Sequence, residues 1–406
     1  MKPTQTKFIL TFFGIAFLVT FALAQTSTRS VLGKNDYPAL FDAAPGVPAT
    51  PLEAGKRAYG ADINNAQNQQ NELELFYAPF NQKVTAAYAV IKDAVANRGR
   101  NQEALGQRAV AQANASPIIS RMGGVDKMSK MSEEEMKQAA AQAVGSYTQS
   151  LSGAPTNAPG GGMQALTQRL MSDPAYQARF EKMSKAEQEA ELQKYMGNAQ
   201  APPPPVGETA AERQAKKGVA ETKAAVAKHE ELAALMQRVG EIDVEFNKKD
   251  KALLATPGGY DAIGKDIRDR IAKLPIIGSS DAFGPYSDPA KVQALQRELV
   301  TRERDRATWE LQQRTVLYAQ RKAKYKEVAT AYGTWLKQNM GTVNSNQTAQ
   351  LLDDASMETA VRCEEELIKA AETLGKYSAE MTSHAGVHEY SYQRTMSEPL
   401  EKSLTK

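Results

Sequence analysis

The chain has 406 residues, of which 50 are Lys or Arg and 47 are Asp or Glu, so its formal charge is only +3. A balance this close to neutral excludes a general attraction to nucleic acid or anionic lipid, and a single cysteine, Cys363, excludes an internal disulfide. Aromatic residues make up only 7% of the chain. This composition favours thin apolar stripes on charged helices over one large globular core.

Residues 1–24 have the pattern of a secretory signal peptide. Lys2 and Lys7 precede an uncharged apolar run that ends in Ala22-Leu23-Ala24, the small-x-small pattern of a cleavage site. We therefore predict cleavage before Gln25 and an extracytoplasmic location, periplasmic or secreted. The alternative is a retained leader that anchors the chain, because the run of 17 residues (8–24) is at the short limit for a membrane helix.

The segment after the leader divides into two predicted parts. Residues 25–66 are rich in Pro, Gly and small polar residues and are expected to form an irregular arm. Residues 67–197 are predicted to form an N-terminal helical module, in which Pro79 kinks the first helix or marks its first turn. Ser132 and Glu135 form a capping box at the start of a helix over about 131–151. The apolar face of the first helix comprises Phe76, Phe80, Val84, Tyr88, Ile91 and Val95.

A proline-rich linker separates this module from the rest. Residues 152–162 form a loop by composition, and Asp173-Pro174 and Ser184 with Glu187 indicate two further helix starts. Residues 198–207 contain four consecutive prolines, which end any helix and enforce an extended conformation. We interpret this segment as a stiff linker, and a recognition motif for a proline-binding partner is the alternative.

The C-terminal half is predicted to consist of long antiparallel helices, so the fold class is all-α, a bundle or coiled-coil-like assembly over 208–383. Helices are expected over about 208–255, 289–339 and 350–381, with a short amphipathic piece and a Gly/Pro-rich loop between the first two. Residues 384–406 are expected to form a tail. The short amphipathic piece carries Ile263, Ile267 and Ile271.

The charges suggest which two helices pair. Residues 289–339 contain 11 Lys and Arg against 5 Asp and Glu, whereas residues 345–383 contain 3 against 8. A basic helix followed by a short loop and an acidic helix is typical of an antiparallel pair whose flanking charges match. We expect these charges to select the register, while the apolar stripes supply the stability.

His384 and His388 are the candidate metal ligands. On a helix, a spacing of four residues lets both imidazoles bind one metal ion. Gly386 lies between them, however, and with Ser383 it is expected to end the preceding helix. The sequence fixes no third ligand by spacing. A surface turn or a fraying helix end is therefore the simpler interpretation.

Other groups have weaker functional interpretations. The basic cluster 321–326 could contact phosphate, but an acidic helix offers it an internal partner. Cys363 is followed by three glutamates that would raise its pKa, which favours a packed thiol over a nucleophile. Asp353-Asp354 and the acidic run 133–135 are interpreted as solvated helix faces. Gly160-Gly161-Gly162 lacks the preceding strand of a phosphate site, and Asn114 and Asn346 begin glycosylation sequons.

The sequence thus predicts no catalytic, cofactor-binding or metal-binding residue. The favoured function is that of an exported, non-enzymatic interaction or scaffold protein that binds a protein partner or another copy through its helix seams. Nucleic acid is not an expected partner, and membrane contact is expected only if the leader is retained. The alternatives are an exported metal-dependent enzyme that uses His384 and His388, and a helical protein anchored by an uncleaved leader.

Overall fold

The computed structural model describes residues 29–63, 69–151, 210–280, 284–341 and 344–398, with isolated positions between 176 and 188. The predicted signal peptide, the loop 152–162 and the proline-rich linker lie outside the described residues. The chain divides into two compact units. Unit 1 comprises Met1–Asn101 and Thr222–Lys406, and unit 2 comprises Gln102–Glu221.

Helices dominate the described residues, and the all-α prediction is confirmed apart from one small hairpin. In chain order the elements are α1 (Tyr37–Asp42), α2 (Pro51–Tyr59), α3 (Gln69–Ala115), α4 (Pro117–Arg121), α5 (Val125–Met128), α6 (Glu133–Leu151), α7 (Ala210–Leu254), α8 (Tyr260–Ala272), β1 (Ile276–Ser280), β2 (Gly284–Ser287), α9 (Pro289–Asn339) and α10 (Gln347–Ser397). Among the described residues, none of these helices combines the length and apolar character needed to cross a bilayer.

Long helices pack side by side in unit 1. Tyr332, near the end of α9, donates to Glu364 in the first half of α10, and Arg304, near the start of α9, pairs with Glu389 near the end of α10. The two helices are therefore antiparallel, as predicted. The N-terminal part of α3 packs against α10, and α7 packs against both α9 and α10. Their buried residues form one core that includes Ile91, Leu232, Tyr325, Tyr332, Trp335, Leu367, Ile368 and Leu374.

The prediction of an irregular arm is wrong for much of residues 25–66. Asp36 and Thr50 cap α1 and α2, and a proline lies at the first or second position of each helix. Proline in the first turn starts a helix, because its missing N–H would have no partner there. Phe41 stacks on Tyr325 of α9 with ring centroids 5.5 Å apart, so the arm is part of the core.

Two boundaries in the C-terminal half also differ from prediction. The segment expected to be a loop before α9 forms an antiparallel hairpin of β1 and β2, with Ile276 opposite Ser287. The segment expected to be a tail continues α10 as far as Ser397. Gly386 does not end the helix, because α2 crosses α10 there. A Cβ on Gly386 would lie 3.1 Å from the carbonyl oxygen of Ala54.

The boundaries of the two units differ from those of the predicted module of residues 67–197. One boundary lies within α3 and the other within α7, so residues 69–101 of α3 belong to unit 1. Pro79 lies well inside α3 and not in its first turn. In unit 2, the predicted capping box is confirmed. The Ser132 N–H donates to Glu135 over 2.8 Å, and the Glu135 N–H donates to the Ser132 hydroxyl over 3.4 Å.

Candidate functional site at the histidine cluster

His384 and His388 lie one turn apart on the same face of α10. Their ring centroids are 5.0 Å apart, and the ring planes are nearly perpendicular. The helix is continuous between them, so the spacing of four residues brings the rings together as the helical interpretation requires. We call these residues, with Tyr260, Glu303, Arg306 and Glu310, the histidine cluster.

Tyr260 at the start of α8 covers both imidazoles. Its ring stacks on His388 at 4.2 Å with an angle of 7° between the planes, and it meets His384 edge-on at 5.1 Å. The Tyr260 hydroxyl donates to Glu310 Oε2 over 3.2 Å. Burial first, and then the charge of Glu310, raise the pKa of Tyr260, so the phenol stays protonated.

Glu310 on α9 is the buried acceptor of the cluster. Arg306 Nε donates to Glu310 Oε1 over 2.7 Å, and His384 Nε2 lies 3.4 Å from Glu310 Oε2. Burial alone would raise the pKa of Glu310, but the nearby His384 and the hydrogen bond from Arg306 outweigh this and lower it. Glu310 is thus an ionised carboxylate beside His384, whose side chain is 41% exposed.

His388 and Glu303 form a second, separate contact. His388 Nδ1 lies 3.6 Å from Glu303 Oε2. Burial, and next the charge of His384, lower the pKa of His388 to about 4, while burial raises the pKa of Glu303. Near neutral pH, His388 is therefore a neutral imidazole stacked on a phenol.

The structure brings the two predicted histidines together, but among the described residues it places no third metal-binding side chain where it could share an ion with both of them. Each imidazole faces one carboxylate. In the part of the chain that the structure describes, no group of three or more His, Cys, Asp and Glu side chains is placed to hold a metal ion. What the cluster supplies is the Glu310 carboxylate 3.4 Å from Nε2 of the half-exposed His384, next to a neutral His388.

Cys363 occupies the packed position that the sequence indicates. It lies within the first half of α10, away from either end, and is fully buried. Burial raises its pKa to about 12, with smaller contributions from Glu364 and Glu366. The thiol is therefore protonated at neutral pH, and burial contributes more to this than the adjacent glutamates from which we predicted it.

The basic cluster 321–326 has internal partners, but they are not on the predicted acidic helix. Arg321 is buried and pairs with Asp243 of α7, and Lys324 Nζ lies 2.7 Å from Glu245 of the same helix. Lys326 pairs with Asp42 at the end of α1. The acidic residues that neutralise this cluster thus come from α7 and α1, although the segment of α7 is balanced overall in charge.

Three of the remaining candidates have structural roles. Asp353 is buried between Lys228 and Arg29, so its interpretation as a solvated face is wrong. Asn346 caps α10 by accepting from the N–H groups of Thr348 and Ala349. Asn114 Oδ1 accepts from the N–H of Val125 over 2.7 Å. Both sequon asparagines thus use their side-chain oxygens in hydrogen bonds. Gly160–Gly162 lie outside the described residues.

Sequence reasoning missed Glu364 as a site residue. It accepts from the N–H of Gly33 over 2.7 Å and from the Tyr332 hydroxyl over 3.0 Å, deep in the core. Its burial could have been predicted from the helical spacing, because Glu364 follows Val361 by three residues and precedes Ile368 by four. It therefore lies on the apolar face of the helix.

No protein-family model, curated protein or solved structure matches the chain.

Proposed function

We propose that this protein is a non-enzymatic helical scaffold that works outside the cytoplasm by binding protein partners or other copies of itself. The extracytoplasmic location rests on the leader-like residues 1–24. The scaffold role rests on how unit 1 uses its charged groups and on which apolar groups it leaves exposed. Nucleic acid is not among the proposed partners, and membrane contact is proposed only for a retained leader.

The observation that carries this proposal is a series of buried ion pairs that join the long helices. Arg314 on α9 binds Asp250 of α7 through two contacts of 2.8 and 3.0 Å, and Arg321 pairs with Asp243, two turns closer to the start of α7. Lys228 of α7 pairs with Asp353 of α10. Pairs of this kind fix one register between helices. They favour a rigid body over an open catalytic cleft.

A test of this proposal begins with the protein in its own host. We expect fractionation to place it outside the cytoplasm with Gln25 at its N-terminus. A lysine-reactive cross-linker applied to that fraction should give discrete larger species that contain a second copy or a partner. The same treatment after denaturation is the control and should give none of them. Cytoplasmic retention would contradict the location, and an uncross-linked monomer at every concentration would contradict the scaffold role.

The metal-dependent enzyme is the second candidate, and the observation that favours it is the 3.4 Å approach of His384 Nε2 to Glu310 Oε2. Two such groups can bind one cation together with water. Under this alternative, protein purified without an affinity tag would contain metal, and the variant His384→Ala would lose it. Absence of metal, with a free energy of unfolding that a chelator does not change, would remove this candidate.

The anchored protein is the third candidate. It differs from the first only in the fate of residues 1–24, whose 17 apolar residues could span a thin bilayer. Recovery of the intact N-terminus from the membrane fraction would support it. Gln25 at the N-terminus of the isolated protein would exclude it.

A further inference from the structure

The hairpin of β1 and β2 exposes two adjacent isoleucines near the start of α9. Ile276 is 68% exposed and Ile277 is 60% exposed, although both belong to β1. Side chains along a strand normally alternate between its two faces, but the pairing register shifts between Ile276 and Gly278, so Ile277 lies at an irregularity. We call these two residues the hairpin isoleucines. A two-stranded hairpin alone is marginal in water, so both side chains gain from an apolar cover.

The end of α10 is held beside this hairpin. The backbone carbonyl oxygen of Glu398, the last described residue, accepts a hydrogen bond from Gln293 Nε2 over 3.4 Å. Gln293 lies in the second turn of α9, about 6 Å along the helix from Pro289. Ser287 precedes Pro289 by two residues and pairs with Ile276. Ile276 therefore lies within about 20 Å of Gln293.

The residues that follow Glu398 have the composition to cover the hairpin isoleucines. We call residues 399–406, which lie outside the described residues, the C-terminal segment. Glu398 has an extended backbone and precedes Pro399, so the chain turns out of the helix there. Leu400 and Leu404 are four positions apart and share one face in either an extended or a helical segment. From Pro399 to Leu404 an extended chain reaches about 20 Å, which is the distance required.

Arg297 offers the C-terminal segment a polar anchor. One Nη atom of Arg297 donates to the Glu398 carbonyl oxygen over 3.3 Å, whereas its Nε is buried and has no hydrogen-bond partner among the described residues. A buried donor without an acceptor is costly, which favours an acceptor from a neighbouring segment. Glu401 carries the first carboxylate after Glu398, and three residues reach about 10 Å.

We propose that the C-terminal segment folds back along the start of α9 and covers the hairpin isoleucines with Leu400 and Leu404, while the Glu401 carboxylate accepts from Arg297 Nε. The described residues of β1 and β2 include no charged side chain that would repel the segment. A segment of the same chain is present at a high effective concentration, which favours it over a second copy. While it is docked, a protein partner can reach the hairpin isoleucines only by displacing it. This inference does not depend on the proposed function.

Cross-linking within one chain tests the contact in the full chain, purified in a mild detergent. Ser279→Cys on the hairpin and Ser403→Cys in the C-terminal segment are combined, and the protein is treated with a short bismaleimide. The native Cys363 is buried and does not compete. Peptides linked through the two new cysteines should form with about tenfold higher yield than in a chain that combines Ser403→Cys with Ala234→Cys. Ala234 is an exposed residue of α7, six positions from Lys228, which contacts Asn339 at the opposite end of α9.

Isotope labels distinguish a contact within one chain from a contact between two copies. Equal amounts of isotope-labelled and unlabelled protein, each with both cysteines, are mixed before cross-linking. Under the proposal, both halves of every linked peptide carry the same label, and the yield does not depend on protein concentration. Linked peptides with one labelled and one unlabelled half would overturn the proposal in favour of a second copy as the cover.

Substitutions in the C-terminal segment relate the yield to the proposed contacts and leave the described helices unchanged. Leu400→Ser combined with Leu404→Ser should lower the yield about tenfold. Glu401→Gln should lower it about threefold. Lys402→Gln is the matched control, because it removes a charge from the same segment but no proposed contact, and it should leave the yield unchanged.

Two results would overturn the cover on the hairpin isoleucines. One is a yield no higher than that of the chain with Ala234→Cys, and the other is an unchanged yield in the double serine variant. Equal effects of Glu401→Gln and Lys402→Gln would overturn the pairing of Glu401 with Arg297.

Discussion

Glu364 places a carboxylate among the apolar side chains of the core. Burial raises its pKa, and hydrogen bonds from Gly33, Tyr37 and Tyr332 offset this only in part. Above the ordinary pKa of 4.5, the folded chain therefore retains a proton that the unfolded chain has released. The free energy of unfolding must fall as the pH rises through this window.

We therefore expect Glu364→Gln to flatten the pH dependence of stability above pH 4.5, since glutamine preserves an acceptor oxygen and cannot ionise. Urea unfolding followed by circular dichroism at several pH values measures this. The adjacent Glu366→Gln, which removes an exposed carboxylate paired with Lys369, is the control and should leave the slope unchanged. Glu364→Ala should cost about 2–4 kcal/mol, because Gly33, Tyr37 and Tyr332 lose their acceptor. If Glu364→Gln left the pH dependence of the free energy of unfolding unchanged, this would contradict a raised pKa for Glu364 in the folded chain.

His388 gives the opposite pH dependence. Its pKa is lowered to about 4 from 6.5, mainly by burial. Between these values, the unfolded chain binds a proton that the folded chain does not, so the free energy of unfolding falls as the pH falls from 6.5 towards 4. The full effect is at most about 3 kcal/mol.

An NMR titration of the imidazole signals should show His388 without a transition above pH 5. His388→Asn should remove this part of the acid sensitivity, measured as the urea midpoint at pH 7 and pH 5. His229→Asn is the control, because His229 contacts only Ser356 over 3.4 Å among the hydrogen bonds of the described residues. A His388 transition near pH 6.5 would show that the ring is not buried against Tyr260.

At the scale of helices, the sequence predicted where a helix begins better than it predicted which helices its charged side chains pair with. Asp288-Pro289 marks the start of α9 because the cap and the proline act locally, and α9 begins at Pro289. The partner of Arg314 cannot be inferred in this way, because it depends on which helix lies across from it. Net charge pointed to the acidic helix α10, yet the bound carboxylate belongs to Asp250 of α7.

The Arg314–Asp250 pair leads to a prediction about helix register. Because Arg314 is buried, Asp250→Ala leaves a guanidinium without its carboxylate and should cost about 3–5 kcal/mol. The double variant Arg314→Met with Asp250→Leu should recover most of this loss. Urea unfolding of both single variants and the double variant gives the coupling energy. The exposed Arg238–Glu327 pair, 3.9 Å apart, is the control. Its removal should cost less than about 1 kcal/mol.

Gly386 shows why the low helix propensity of glycine did not predict where α10 ends. Glycine lowers helix stability by about 1 kcal/mol relative to alanine, and on that basis we predicted the helix to stop. The crossing helix α2 reverses this, because it approaches so closely that a Cβ on Gly386 would crowd the backbone of Ala54. The same contact explains how His384 and His388 come to share one helix face, which the sequence alone left undecided.

Gly386→Ala should therefore destabilise the protein despite its better helix propensity. The obstacle is the backbone oxygen of Ala54 at 3.1 Å, which a side-chain movement cannot relieve. We expect a loss of about 1–3 kcal/mol in the free energy of unfolding. Gly240→Ala on α7, where an added Cβ meets no atom within 4 Å, should instead gain up to about 1 kcal/mol. Equal effects of the two substitutions would contradict the close crossing.

At the scale of the whole molecule, unit 2 is an insertion in the chain of unit 1. Asn101, the last residue before it, lies close to Glu358 of α10. Thr222, the first residue after it, contacts Asn346 at the start of the same helix over 3.4 Å. These two contacts are separated by 12 positions along the chain, or about 18 Å of helix. The two points at which the chain leaves and re-enters unit 1 therefore both lie against the N-terminal part of α10. The proline-rich segment 198–207 predicted a domain boundary there. The contacts of α3 and α7 instead put the boundaries of unit 2 at residues 102 and 221.

Unit 1 should therefore fold without residues 102–221. Joining Asn101 to Thr222 through a flexible linker of about ten Gly and Ser residues gives a reach of about 33 Å, enough to bridge the gap. We expect one cooperative urea transition and an α-helical circular dichroism spectrum from this deletion variant. The control is a chain that starts at residue 67, which keeps unit 2 but lacks the contacts of Tyr37 and Phe41 with α9. It should lose cooperative unfolding, because α1 and α2 are part of the core. The opposite pattern, a folded chain from residue 67 and a molten deletion variant, would show that unit 2 supports the bundle and that the N-terminal arm does not.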